Sequence, residues 1–150
     1  MKSLRYLALA ALTFGLSACQ TPKVAHGPHS FSFDPPAKQP KNPAAVKVKL
    51  STGAQRLYVV EGNEVLLATP VTVGKASSPT PQGDFTIYAK EERRRRVSQP
   101  GAGYPMTYWM EFQPAYGMHW GFVKPVPATH GCVRMPLKAA QKVFSIVRVG

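Results

Sequence analysis

A chain of 150 residues allows one domain with a real hydrophobic core. Its 19 Lys and Arg against 7 Asp and Glu give a net charge of +12, which narrows partners to polyanions: nucleic acid, anionic lipid or an acidic wall polymer. Fifteen prolines are the other departure from an ordinary globular composition.

The N-terminus chooses among those partners. Lys2 and Arg5 form a short basic region, and Leu7 to Leu16 is an apolar run too short to span a bilayer as a mature helix. This is a secretory signal pattern and stands outside the fold. Its end, Leu16-Ser17-Ala18-Cys19, resembles the bacterial lipoprotein processing motif. That resemblance implies cleavage after residue 18, and lipidation of the Cys19 sulfur and of its new amino group. Several acyl chains on one residue hold a protein to a membrane stably, unlike a single chain. The plainer alternative is a signal peptide with a chance cysteine. Gln20 resembles the outer-membrane rather than the inner-membrane sorting pattern of enteric lipoproteins. The expected location is therefore the periplasmic side of the cell envelope, lipid-anchored, at the outer membrane in preference to the inner.

Export removes nucleic acid from the list of partners. Loss of residues 1–18 takes away Lys2 and Arg5 and leaves a mature charge of +10. Two cysteines in an exported chain would ordinarily suggest a disulfide. With Cys19 lipidated, Cys132 has no partner, and an unpaired thiol there must be buried or used.

Residues 19–45 read as the lipidated cysteine followed by a flexible tether. Residues 20–45 hold six prolines, few apolar residues and no periodicity, too little to offset the entropy of ordering. His26 and His29 in this segment read as solvated side chains rather than a metal pair. From Val46 the pattern changes. Val46 to Leu50 alternates as a half-buried strand does. Gln55 to Val60 and Val65 to Val73 are strand-like runs joined by a turn containing Gly62-Asn63. Gly83 to Ala89 alternates again, and Thr107 to Phe112 and Tyr116 to Trp120 add two short strands. The run Glu91 to Arg96 reads as a solvated loop between strands, with a docking patch for anionic polymer or phospholipid as the alternative. Pro136 opens one helix, with Leu137, Ala140, Phe144 and Val147 on one face. The expected fold is a mostly β domain over 46–150 with one late α-helix.

The chemistry-bearing stretch is Met118 to Pro136. A cysteine becomes a strong nucleophile when a nearby cation or base favours its thiolate, and His119 and His130 are the candidate bases for Cys132. Gly131 permits a turn at positive φ and lets backbone N–H groups approach a carbonyl oxygen. Arg134 offers a rigid guanidinium fork to a carboxylate, and Pro125 to Pro127 stiffen the loop between the histidines. Residue types alone leave two alternatives open. Cys132 could be a buried small hydrophobe, or His119, His130 and Cys132 could be three ligands of a zinc site of no common spacing.

The run Thr129-His130-Gly131-Cys132-Val133-Arg134-Met135-Pro136 resembles the active-site signature of the L,D-transpeptidase catalytic domain, the YkuD-type family. Nine residues separate His119 from Thr129, fewer than is usual in the family, and this places the chain in its short-loop branch. A second block also matches: Gln55-Arg56-Leu57, Val71 to Lys75 and Thr80 to Phe85, with Pro105 to Tyr108 resembling the strand before the active-site hairpin. The resemblance spans about residues 46–149. It implies a β-sandwich or barrel whose cleft holds Cys132 as nucleophile and His119 as general base and later acid. Backbone amides around Gly131 and Cys132 would stabilise the oxyanion, and His130 would shape the site. Thr129, Trp120 and Arg134 would border or hold substrate. The substrate would be a peptidoglycan tetrapeptide stem, acted on by a monomer without metal or cofactor.

Two departures from the family pattern stand out. Trp120 occupies the place where some members have Ser or Gly, so a neighbouring hydroxyl is not there to orient His119. The family also continues past Val149-Gly150 into a closing strand, and a version carrying such an extension is expected to melt at a higher temperature. Two other functions share these features: a hydrolytic L,D-carboxypeptidase, and a non-catalytic lipoprotein that tethers membrane to peptidoglycan.

Overall fold

The computed structural model describes residues 32–150. The signal sequence, Cys19, Gln20, His26 and His29 lie outside the described residues.

Two sheets and one helix enclose the core. The first sheet is antiparallel, in the order β1 (Val46–Ser51), β2 (Arg56–Glu61), β3 (Glu64–Pro70). Its β2–β3 hairpin pairs Glu61 with Glu64 across Gly62 and Asn63, and Gly62 takes φ +56. The second sheet runs β4 (Ala89–Arg94), β5 (Met106–Gln113), β6 (Tyr116–Trp120), β7 (Val133–Met135). Its first three strands are antiparallel, and β7 pairs with β6 in parallel. Helix α1 (Leu137–Ile146) follows β7 directly. Leu57, Val59 and Leu67 of the first sheet, Met110, Met118, Val133 and Met135 of the second, and Ala139, Ala140 and Val143 of the helix form one buried cluster. Burial of such side chains from both sheets is the main force joining them. This is the expected mostly β sandwich with one late helix.

The segment after β3 crosses between the sheets. Thr72 and Arg134 exchange backbone hydrogen bonds at 3.0 and 2.9 Å, Lys75 N–H donates to the Thr129 carbonyl at 3.0 Å, and Val73 C=O accepts from Ala128 and Thr129. Residues 71–75 therefore clamp the turn that carries the candidate site.

Four expectations change. No strand forms over Gly83 to Tyr88. Alternation there describes an extended chain, but a strand also needs a neighbour, and the β4–β5 ladder starts only at Ala89 opposite Glu111. Glu91 to Arg94 are not a solvated loop; they form most of β4, an edge strand whose charges discourage pairing with another chain. Pro136 is the N-cap of α1 rather than its first helical residue, and the buried face is Ala139, Ala140, Val143 and Ile146, with Leu137 and Phe144 only partly covered. The last part of the expected tether is docked on the domain. Lys142 Nζ reaches Asp34 at 2.6 Å and the Pro35 carbonyl at 2.7 Å, and Lys38 N–H donates to Leu66 C=O. These contacts use backbone groups and side-chain charge, which a search for apolar periodicity does not register.

Candidate active site

Strand register brings the distant residues together. His119 on β6 lies opposite Arg134 on β7, and the turn of residues 129–132 leads straight into β7. Cys132, His119, His130, Thr129 and Arg134 line one cleft of about 800 Å³. Among the described residues no three His, Cys, Asp or Glu side chains are grouped closely enough to hold a metal ion, so His119, His130 and Cys132 do not converge as a ligand set.

His119 is 4% exposed, its ring packed on Trp109 with centroids 5.7 Å apart. Its Nδ1 lies 2.6 Å from the carbonyl oxygen of Trp120. A carbonyl only accepts, so Nδ1 carries the proton and Nε2 keeps its lone pair. The backbone of residue 120 thus orients His119 and needs no hydroxyl. The Trp120 ring packs against Tyr104 at 5.1 Å, within an aromatic cluster that includes Phe122, and does not itself line the cleft. Burial pulls the His119 pKa down to about 4 against the opposing Trp120 hydrogen bond, and the positive charge of Arg134 lowers it further.

Thr129 is buried and ties the turn. Its Oγ1 donates to the Cys132 carbonyl at 2.6 Å and accepts from the Gly131 N–H at 3.1 Å. The Gly131 amide is therefore engaged internally. Gly131 takes φ +114, and a Cβ there would run into the Tyr116 ring, so only glycine fits. Losing Thr129 would leave a buried amide and carbonyl without partners. Thr129→Val is expected to lower stability by roughly 1–3 kcal/mol, with Thr129→Ser close to wild type; urea melts of the three proteins check this.

The Cys132 thiol is half-buried, and its Sγ–H points to the Ala115 carbonyl at 3.8 Å. Burial pushes its pKa up, the Gly117 backbone and the charges of Arg134 and Arg96 pull it down, and Glu111 pushes it up; the net shift is upward. At neutral pH the resting pair is a neutral thiol and a neutral imidazole with a free Nε2.

Sequence reasoning missed the support behind this pair. Glu111, 6% exposed, accepts from Arg94 at 2.7 Å, Trp109 Nε1 at 3.2 Å and the Ala115 amide at 3.1 Å. It thus holds both the ring that packs on His119 and the turn whose carbonyl meets Cys132. Burial works to raise the Glu111 pKa, but these donors, with Tyr88, outweigh it and hold the carboxyl below its ordinary value. The available signal was an acidic residue two places from Trp109 on an alternating strand, hence on the same face.

The chain is similar to known proteins in sequence and in fold. Residues 43–150 match the YkuD family, described as the L,D-transpeptidase catalytic domain, so the match begins three residues before the expected boundary. The YkuD protein of Bacillus subtilis (strain 168) is 32% identical over 108 residues, covering 69% of this chain and 61% of that protein. The YkuD protein of Bacillus licheniformis is 28% identical over 118 residues, covering 73% of this chain and 66% of that one. The chain thus spans about three fifths to two thirds of the length of these curated relatives. A crystal structure of an L,D-transpeptidase from Stackebrandtia nassauensis superposes with a TM-score of 0.64 at 24% identity, over 76% of this chain and 55% of that one, a likeness of fold. Mycobacterium tuberculosis L,D-transpeptidase 1 superposes with a TM-score of 0.59 at 28% identity, over 71% of this chain and 58% of that one. The chain belongs to the YkuD family of L,D-transpeptidase catalytic domains.

Proposed function

We propose that the protein is a cysteine L,D-transpeptidase acting on peptidoglycan tetrapeptide stems. The observation that carries this reading is a half-buried thiol sharing one cleft with a buried histidine whose Nδ1 is held by a carbonyl, leaving Nε2 as a base. Cys132 Sγ attacks the carbonyl between the third and fourth residues of the stem as Nε2 of His119 takes the thiol proton. An S–C bond forms, the carbonyl becomes an oxyanion, and the C–N bond to the terminal D-alanine then breaks. The departing amine receives the proton from His119. An acceptor amine next attacks the thioester, giving its proton to His119, which returns it to the leaving sulfur. The new amide is a 3→3 crosslink or an attachment to another amine.

The oxyanion falls to amides of the turn. The Gly131 amide already donates to Thr129, so we assign the first donor to the Cys132 amide. His130, exposed beside the thiol, shapes the entrance, and Arg134 suits the carboxylate of the departing residue. Export and anchoring through Cys19 on the periplasmic side of the envelope, at the outer membrane in preference to the inner, belong to the same proposal, as does a monomeric state. The basic charge, still +10 after cleavage, suits an acidic wall polymer.

Incubating residues 19–150 with disaccharide tetrapeptide, with and without an acceptor amine, tests the mechanism. Intact mass should show a thioester on Cys132 and loss of D-alanine, and Cys132→Ala should abolish both. Release of free acid despite abundant amine identifies an L,D-carboxypeptidase. Unmodified Cys132 and intact substrate with a folded protein overturn the enzyme reading in favour of a wall-binding lipoprotein.

A further inference from the structure

The run Glu91 to Arg96 splits into three parts with different surroundings. Arg93 is exposed and takes no part in the cleft. Arg94 is neutralised twice, by Glu111 at 2.7 Å and by Glu91 at 2.6 Å, and its guanidinium lies 4.9 Å from the centre of the Trp109 ring. Arg95 and Arg96 come after β4 has ended, where strand alternation no longer sends neighbours to opposite faces, and both line the cleft that holds Cys132.

These two arginines have only neutral partners. Arg95 Nη1 donates to the Gly103 carbonyl at 3.0 Å, and Arg96 Nη1 to Gln99 Oε1 at 3.5 Å. Arg134 lines the same cleft, and among the described residues no carboxylate lies within ion-pair distance of any of the three. The acids beside the cleft, Glu91 and Glu111, are both engaged by Arg94. The positive field reaches the reacting atom, because the charges of Arg96 and Arg134 both act on the Cys132 thiol. Three guanidinium groups without a carboxylate partner around one concave site favour an anion there, and their planar forks match a carboxylate.

We propose that Arg95 and Arg96 read a second carboxylate of the peptide stem, beyond that of the departing residue, so that the enzyme selects donors in which this carboxylate is free rather than amidated. This deepens the transpeptidase reading and rests on it for the identity of the substrate. The placement of Arg95 and Arg96 in the cleft wall, with Arg93 outside it, favours a small carboxylate over a lipid surface or a polyphosphate chain.

Two measurements test the proposal. Tetrapeptide donors with the second carboxylate free or amidated are compared in the full mature protein and in the R95Q/R96Q double variant. The wild type should favour the free acid by about tenfold in kcat/KM, the size of one charge-assisted contact, and the double variant should bring that ratio close to one. Equal use of both donors by the wild type, or a preference that survives in the double variant, overturns the assignment. Labelling of Cys132 by iodoacetate relative to iodoacetamide needs no transpeptidase activity. That ratio should fall several-fold in R95Q/R96Q, and in the wild type on going from 0.02 to about 0.5 M salt. An unchanged ratio overturns the anion-reading wall whatever the stems do. A ratio that falls while neither stem is consumed keeps the wall and overturns the transpeptidase reading and the stem as its ligand. Both arginines are exposed, so the substitutions leave the core untouched.

Discussion

His119→Gln should slow acylation of Cys132 by roughly 10³-fold, within the range that general base catalysis contributes. The reason lies in the resting protonation states. Burial holds the Cys132 thiol above its ordinary pKa and pulls His119 down to about 4, so a ready-made thiolate–imidazolium pair is disfavoured on both sides. On the proposed mechanism the thiolate is therefore generated during attack, by Nε2 of a neutral His119. Wild-type acylation should persist from neutral pH down to about 4 and fall only as His119 takes up a proton. In His119→Gln only the small thiolate fraction reacts. Its residual rate should climb about tenfold per pH unit until the raised thiol pKa is reached. Single-turnover acylation followed by intact mass between pH 4 and 9 gives both profiles. Superimposable profiles would remove His119 from the reaction.

Acid also acts on the fold through the same residue. The unfolded chain binds a proton at His119 near pH 6.5, while the folded one resists it until about 4. Stability from the neutral ring is thus complete above 6.5 and declines as pH falls towards 4, by about 3 kcal/mol in all. Circular dichroism at each pH separates this from loss of the base.

What could be read before folding was the family, because its signature sits in contiguous residues. Thr129 to Arg134 form that signature in one run, and the short strands around them alternate clearly. What escaped depends on contacts across the sheets. The pairing of β4 with β5 turns Glu91 to Arg94 into an edge strand, which composition reads as a solvated loop. The Trp120 carbonyl that fixes the tautomer of His119 is a main-chain atom, invisible in a residue name. Phe85 and Ile87 alternate as a strand would, but no neighbouring strand completes a ladder with them. Glu111 carries no motif of its own, and only the fold puts Arg94, Trp109 and Ala115 around it.

Glu111 is where that hidden support can be removed. Glu111→Ala should cost roughly 3–5 kcal/mol of stability, the range for breaking one side of a buried charged pair. It would strand Arg94 beside Glu91 alone and leave Trp109 Nε1 and the Ala115 amide without their acceptor. The catalytic consequence follows from the same contacts, since Trp109 packs on His119 and the Ala115 carbonyl meets the Cys132 thiol. Glu111 touches no reacting atom. On the proposed mechanism it is a positioning residue, so its loss should lower kcat by about 10–100-fold with a smaller change in KM, as misplacement of a reacting pair does. Glu111→Gln keeps the acceptor oxygen but not the charge and should fall between wild type and Ala on both measures. The pH sign is also fixed. A carboxyl held below its ordinary pKa stabilises the fold above the unfolded value, near 4.3, and that contribution is lost as pH falls through the lower folded value. The stability gap between wild type and Glu111→Ala should therefore narrow in acid. Melting within about 0.5 kcal/mol of wild type together with an unchanged kcat would reduce Glu111 to a bystander. A stability loss with unchanged kcat would leave it a purely structural residue.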